Sequence, residues 1–152
     1  CRQPYAASEE PSKDYLLPFG KANYVTEGDE LTVVCWGAMV QKSIDAVNDL
    51  GLDNGSIEII DIRTLNPIDY ETIEESIRKT GKILIVYEDN ITNGPGAEIC
   101  SIVSDRYFDL LDGPVRRIAS KDSPIPYNWF LEEKVLIQTA DIKNAINSLL
   151  EY

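Results

Sequence analysis

The feature that most limits how this chain can fold is a set of short, largely apolar runs rich in Val and Ile: Leu31–Trp36, Ile57–Ile62 and Ile83–Tyr87. A strand that is apolar at consecutive positions must be covered on both faces, which is how parallel strands between helical layers read. Val115–Ile118 forms a weaker fourth run, and Ala22–Val25 fits an edge strand. Between the runs the period turns helical. Val40, Ile44 and Val47 share one face, and Gly51 follows where a left-handed residue ends a helix. Asp69 fits the cap of a second helix, with Glu71 in its first turn, Ile73 and Ile77 inward, Arg78 and Lys79 at its negative end, and Gly81 as its stop. Ile99, Val103 and Tyr107 mark a third helix; Thr139 is expected to cap a fourth, with Ile142, Ile146 and Leu149 inward. The alternation predicts an α/β fold, a three-layer α/β/α sandwich around a mostly parallel sheet.

At 152 residues the chain has room for one ordinary domain. Lys and Arg total 14 against 26 Asp and Glu, a net charge of −12. Such a surface repels phosphate backbones and anionic lipid and attracts basic partners, so nucleic acid and membrane surfaces are not expected among its ligands. The absence of His removes His-based triads and imidazole metal sites. Cys1, Cys35 and Cys100 form no CxxC spacing and read as free thiols of a reducing, cytoplasmic setting. The chain opens on Cys1, without the charged and apolar regions of a signal peptide, and is expected to be a piece of a longer polypeptide. Residues 1–23, punctuated by Pro4, Pro11 and Pro18, read as a linker leading into a domain over 24–152.

The chemistry-bearing candidates are few. Asn93-Gly94-Pro95-Gly96-Ala97 follows the third long run and precedes a helix, so its amides can either cradle an anion or make a tight strand-to-helix turn. Glu88 and Asp89 lie at the carboxyl end of that run, where open α/β sheets place ligands; they suit acid–base work or simple solvent exposure. Arg63, at the end of the second run, can grip a carboxylate in bidentate fashion, bond loop carbonyls or meet a neighbouring subunit. Trp36 and Trp129 read as packing groups.

The order of motifs adds a resemblance. Tyr-Leu-Leu-Pro-Phe-Gly-Lys-Ala at 15–22 precedes Glu27-Gly28 and Leu-Thr-Val-Val-Cys-Trp-Gly-Ala-Met-Val at 31–40. Asp-Ile-Arg-Thr-Leu-Asn-Pro-Ile-Asp at 61–69, Thr-Gly-Lys-Ile-Leu-Ile-Val-Tyr-Glu at 80–88 and Gly-Ala-Glu-Ile at 96–99 follow. Leu-Asp-Gly-Pro-Val-Arg-Arg-Ile at 111–118 and Asp-Ser-Pro-Ile-Pro-Tyr at 122–127 complete the series. The set resembles the C-terminal domain of the beta subunit of thiamine-diphosphate-dependent 2-oxoacid dehydrogenases, within the wider transketolase C-terminal family. The segments Cys1–Tyr5 and Tyr87–Gly94 look most like forms in which alpha and beta parts share one chain.

The resemblance implies a five-stranded mixed sheet with one antiparallel strand. It implies a parent enzyme that decarboxylates a 2-oxoacid on thiamine diphosphate with Mg and passes the acyl group to a lipoyl arm. The cofactor would lie between an alpha part and an N-terminal beta part, so none is expected on this piece. The motif flavour leans towards branched-chain 2-oxoacids over pyruvate. Implied partners are those two parts, a second beta part in a dimer, and the basic subunit-binding domain of the dihydrolipoyl acyltransferase. For that docking the family pattern carries over Asp112, which equally suits a turn residue before Gly113-Pro114, and the carboxylate of Tyr152 if that is the natural terminus. Two departures stand out: many relatives have His where this chain has Tyr87, and Gly-Gly-Phe-Gly where it has residues 93–96. The rival readings are the same domain in a transketolase-like synthase, and a freestanding small-anion or nucleotide-binding module using the 93–97 loop.

Overall fold

Leu31–Cys35 (β2), buried at every residue, lies at the centre of the sheet. The computed structural model describes residues 16–52 and 55–152. Along the chain run β1 (Asn23–Thr26), β2, α1 (Ala38–Leu50), β3 (Ile57–Asp61), α2 (Tyr70–Thr80), β4 (Ile83–Asn90) and α3 (Pro95–Arg106). A short 3-10 turn at Phe108–Leu110, β5 (Arg116–Ser120), α4 (Trp129–Val135) and α5 (Thr139–Leu150) complete it. The five strands lie in the order β1-β3-β2-β4-β5. β3, β2, β4 and β5 are mutually parallel, and β1 runs antiparallel to β3 at one edge. The three-layer sandwich with one antiparallel strand is therefore the fold, and the Val- and Ile-rich runs are its central strands.

Alternation along each strand divides the core in two. Val33, Cys35, Ile59, Leu84 and Val86 face α1 and α5, whereas Val34, Ile60, Ile83 and Ile85 face α2 and α3. Each such Ile or Leu side chain contributes roughly 1.5–3 kcal/mol by leaving water. Helix ends follow local chemistry. Gly51 and Gly81 end α1 and α2 in left-handed backbone. Asp69 caps α2: its Oδ1 accepts the Thr72 N–H at 3.3 Å, and its Oδ2 accepts both the Thr72 hydroxyl at 2.8 Å and the Ala22 N–H at 3.0 Å. One carboxylate thus starts a helix and holds the segment that enters β1. Burial raises the Asp69 carboxyl, but the bonds from Ala22 and Thr72 and the nearby Lys21 ammonium outweigh it and hold it below the usual range.

Three details differ from the sequence reading. Thr139 is the first helical residue of α5, not its cap; Gln138 caps, and Asp141 reaches back to the Gln138 N–H at 2.9 Å in a reciprocal capping box. A seven-residue helix, α4, occupies a stretch that showed no apolar period, because none of its residues is buried. Trp129, on that helix, is 58% exposed and among the described residues stacks only on Phe130, so it is not a core packing group here.

Candidate functional site

Chain order reverses at β2: β3 lies on one side and β4 on the other, so the carboxyl ends of β2 and β4 flank the crevice where open α/β sheets receive ligands. Here that crevice is filled from within. Trp36, just past β2, stacks on Tyr87 of β4 with ring centroids 5.5 Å apart and planes 10° from parallel. Tyr87 is fully buried, and its hydroxyl accepts from the Arg117 guanidinium at 2.7 Å. The same guanidinium donates to the Ile91 carbonyl. The 93–97 loop wraps the other side of the ring. A Cβ on Gly94 would lie 2.5 Å from Tyr87 Cε2, and one on Gly96 would lie 2.1 Å from Cε1. Both glycines are buried and make room for an aromatic ring.

The remaining sheet-end candidates do not converge. Glu88 is half-buried; its carbonyl accepts the Ser120 hydroxyl at 2.7 Å, and its carboxylate has no hydrogen-bond partner among the described residues. Asp89 turns back to the Asn90 N–H at 2.8 Å. Arg63 is exposed in left-handed backbone, φ 53°, with its N–H donated to Asp61 at 3.0 Å and its guanidinium unpartnered among the described residues. No group of three or more Cys, Asp or Glu among the described residues is placed to hold a metal ion.

A second location brings distant residues together. The Asp112 N–H donates to the Gly81 carbonyl at 2.7 Å, tying the turn before β5 to the C-terminal end of α2. The adjoining Gly113 abuts Tyr152: a Cβ there would lie 3.5 Å from the Tyr152 Cβ and 3.9 Å from Lys82 Cγ. Asp112 and Tyr152 are both exposed. Two residues forty apart in sequence therefore share one corner of the molecule, and the Asp112 carboxylate is in no ion pair among the described residues.

Sequence reasoning passed over Glu58, hidden in an apolar run. Its buried carboxylate accepts the Ser76 hydroxyl at 2.5 Å and the Gly28 N–H at 3.4 Å, and pairs with the half-exposed Lys79 ammonium. Thr32 extends the network to Ser76 at 2.5 Å and Thr80 at 2.7 Å. The available signal was an acid inside a β-branched run, one residue in from its start, where the other acid, Asp61, lies near its end. Cys35 lies in the opposite half of the core, and burial pushes its thiol up to about 12.

The profile of the transketolase C-terminal domain matches residues 20–142. The chain belongs to this family. It is 41% identical over 133 residues to the pyruvate dehydrogenase E1 component subunit beta of Rickettsia bellii, covering 88% of this chain and 41% of that one. It is 42% identical to the subunit of the same name from Cyanidium caldarium, covering 93% and 43%. The mitochondrial one from Dictyostelium discoideum is 40% identical, with 91% and 39% covered. The chain thus spans about two fifths of the curated relatives it matches. Among solved structures, a split-gene transketolase described as an inactive beta4 tetramer superposes with a TM-score of 0.76 at 26% identity, over 95% of this chain and 46% of that one. As a transketolase C-terminal domain the chain has the fold its sequence predicted, and its Tyr87 fills the sheet-end crevice.

Proposed function

We propose that this chain is the C-terminal assembly domain of the beta part of a 2-oxoacid dehydrogenase first component. It supports pairing of beta parts and docks the basic subunit-binding domain of the acyltransferase through Asp112 and the Tyr152 corner. The observation that carries the docking reading is that the fold gathers Asp112, Gly113 and Tyr152 on one exposed corner. Complementary charge favours this role, since a chain of −12 steers a cationic partner over roughly 8–10 Å at moderate salt.

The parent reaction is oxidative decarboxylation of a 2-oxoacid with acyl transfer to a lipoyl arm. The relatives are named for pyruvate, which makes pyruvate the first substrate to try and branched-chain 2-oxoacids the second. The described residues do not fit thiamine diphosphate with Mg: no acidic cluster could hold the ion, and Trp36 and Tyr87 fill the sheet-end crevice. Holding that cofactor falls to the alpha and N-terminal beta parts. The packed crevice also disfavours a freestanding nucleotide-binding module. Mixing the chain with the acyltransferase's subunit-binding domain tests the proposal. Association that weakens as salt rises supports it, and no association at low ionic strength contradicts it.

A further inference from the structure

The connection from α4 to α5 arches past the outer edge of β5 and leaves a cavity of about 640 Å³ beneath it. This is within the roughly 300–1,000 Å³ usual for small-molecule sites. The arch is pinned on both sides. The Lys121 N–H donates to the Val135 carbonyl at 3.1 Å, and Lys42 Nζ donates to the Ile137 carbonyl at 2.5 Å. The Gln138 side-chain amide donates to the Glu133 and Leu136 carbonyls at 3.0 Å each. Such a cavity exists before a ligand arrives, which lowers the ordering cost of binding.

Its chemistry is two-sided. Ile91, Ile118, Val135 and Leu136 give it an apolar body, while Arg117, Lys121 and Lys134 bring three cations to it. None of the three is in an ion pair among the described residues. Two acids, Glu133 and Asp141, share the lining, so its cations outnumber its acids by one. Asp141 accepts the Gln138 N–H at 2.9 Å, and Asp122, outside the lining, accepts the Thr92 N–H at 3.0 Å and hydroxyl at 2.7 Å. Arg117 commits one nitrogen, Nη1, to Tyr87 and Ile91, leaving Nη2 and Nε without a protein partner among the described residues. Three cations against two acids around one apolar concavity run against the acidity of the whole chain.

We propose that this cavity binds a small amphiphilic anion, a carboxylate or phosphate head on a medium-length apolar body. The body lies along Ile118, Val135 and Leu136, and the head meets Lys121, Lys134 and the free nitrogens of Arg117. The site is separate from the Asp112 corner and does not depend on the assembly role.

The test titrates the 152-residue chain with octanoate, octyl phosphate and 1-octanol while recording amide and methyl NMR spectra. Saturable shifts at Ile118, Val135 and Leu136 with octanoate or octyl phosphate are expected, with the better head identifying the natural one. Binding should weaken about tenfold for 1-octanol, and about tenfold for octanoate in a Lys121→Gln, Lys134→Gln double variant. Both lysines are exposed, so the variant keeps the fold, which its unshifted core resonances will report. The proposal is overturned by no saturable shift with either anion, by 1-octanol binding as tightly, by an unaltered affinity in the double variant, or by shifts confined to Trp129–Leu131.

Discussion

The Asp112 carboxylate lies against Gly81, the left-handed residue that ends α2: a Cβ on Gly81 would meet Asp112 Oδ2 at 2.2 Å. A negative group therefore sits where the helix already presents its partial negative end. Such a placement costs stability in the isolated domain and suits a site awaiting a cation. Asp112→Asn is expected to raise stability by about 0.3–1 kcal/mol, measured by urea unfolding. A loss of more than that amount would show the carboxylate to be a structural group.

The Glu58 network predicts an asymmetry between its two charged partners. Removing the ammonium in Lys79→Met leaves a buried carboxylate uncompensated and should cost about 3 kcal/mol. Glu58→Gln keeps an acceptor for Ser76 and frees a half-exposed Lys79 to water, so it should cost less than about 2 kcal/mol. Denaturant midpoints for the two variants decide it; equal losses would contradict the account.

The Tyr87 ring explains Gly96, whose three nearest obstacles are all ring atoms, whereas Gly94 also abuts the Asn90 carbonyl. Gly96→Ala drives a methyl into the ring and should destabilise by about 1–3 kcal/mol. In a Tyr87→Ala background every ring atom that crowds the new methyl is gone, so the double variant should lose less than the sum of the singles. Additive losses would mean that Gly96 serves another purpose.

Cys35 predicts a pH effect. With its thiol raised to about 12 by burial, the folded chain keeps it protonated after the unfolded chain, with its ordinary value near 9.0, has ionised. The associated stability is complete below about 9 and is lost as pH rises towards about 12, at roughly 1.4 kcal/mol per pH unit. Unfolding titrations of the native chain and Cys35→Ala should differ by that slope. Iodoacetamide at pH 8 should label the half-buried Cys100 well before Cys35.

Much of the fold was legible because local chemistry and packing agree. The Val- and Ile-rich runs are covered on both faces, Asp69 caps, and Gly51 and Gly81 stop their helices. What was not legible depends on long-range neighbours. Thr139 looked like a cap, yet Gln138 and Asp141 bond each other one residue earlier. α4 lacks an apolar stripe since it buries nothing, so no period announced it. Glu58 looked like an interruption until α2 brought Ser76 and Lys79 to it. The 93–97 loop could equally have cradled an anion; only the position of the Tyr87 ring shows what its glycines make room for. Residues 1–15, read as part of a linker, lie outside the described residues.

The most direct test of the assembly role is calorimetric titration of the chain and its Asp112→Asn variant with the acyltransferase's subunit-binding domain, at low and at moderate salt. Losing one partner of a desolvated interfacial pair should weaken binding by about 2–5 kcal/mol, with the wild-type affinity falling as salt is added. Equal affinities for the two chains, unaffected by salt, would contradict docking at this corner.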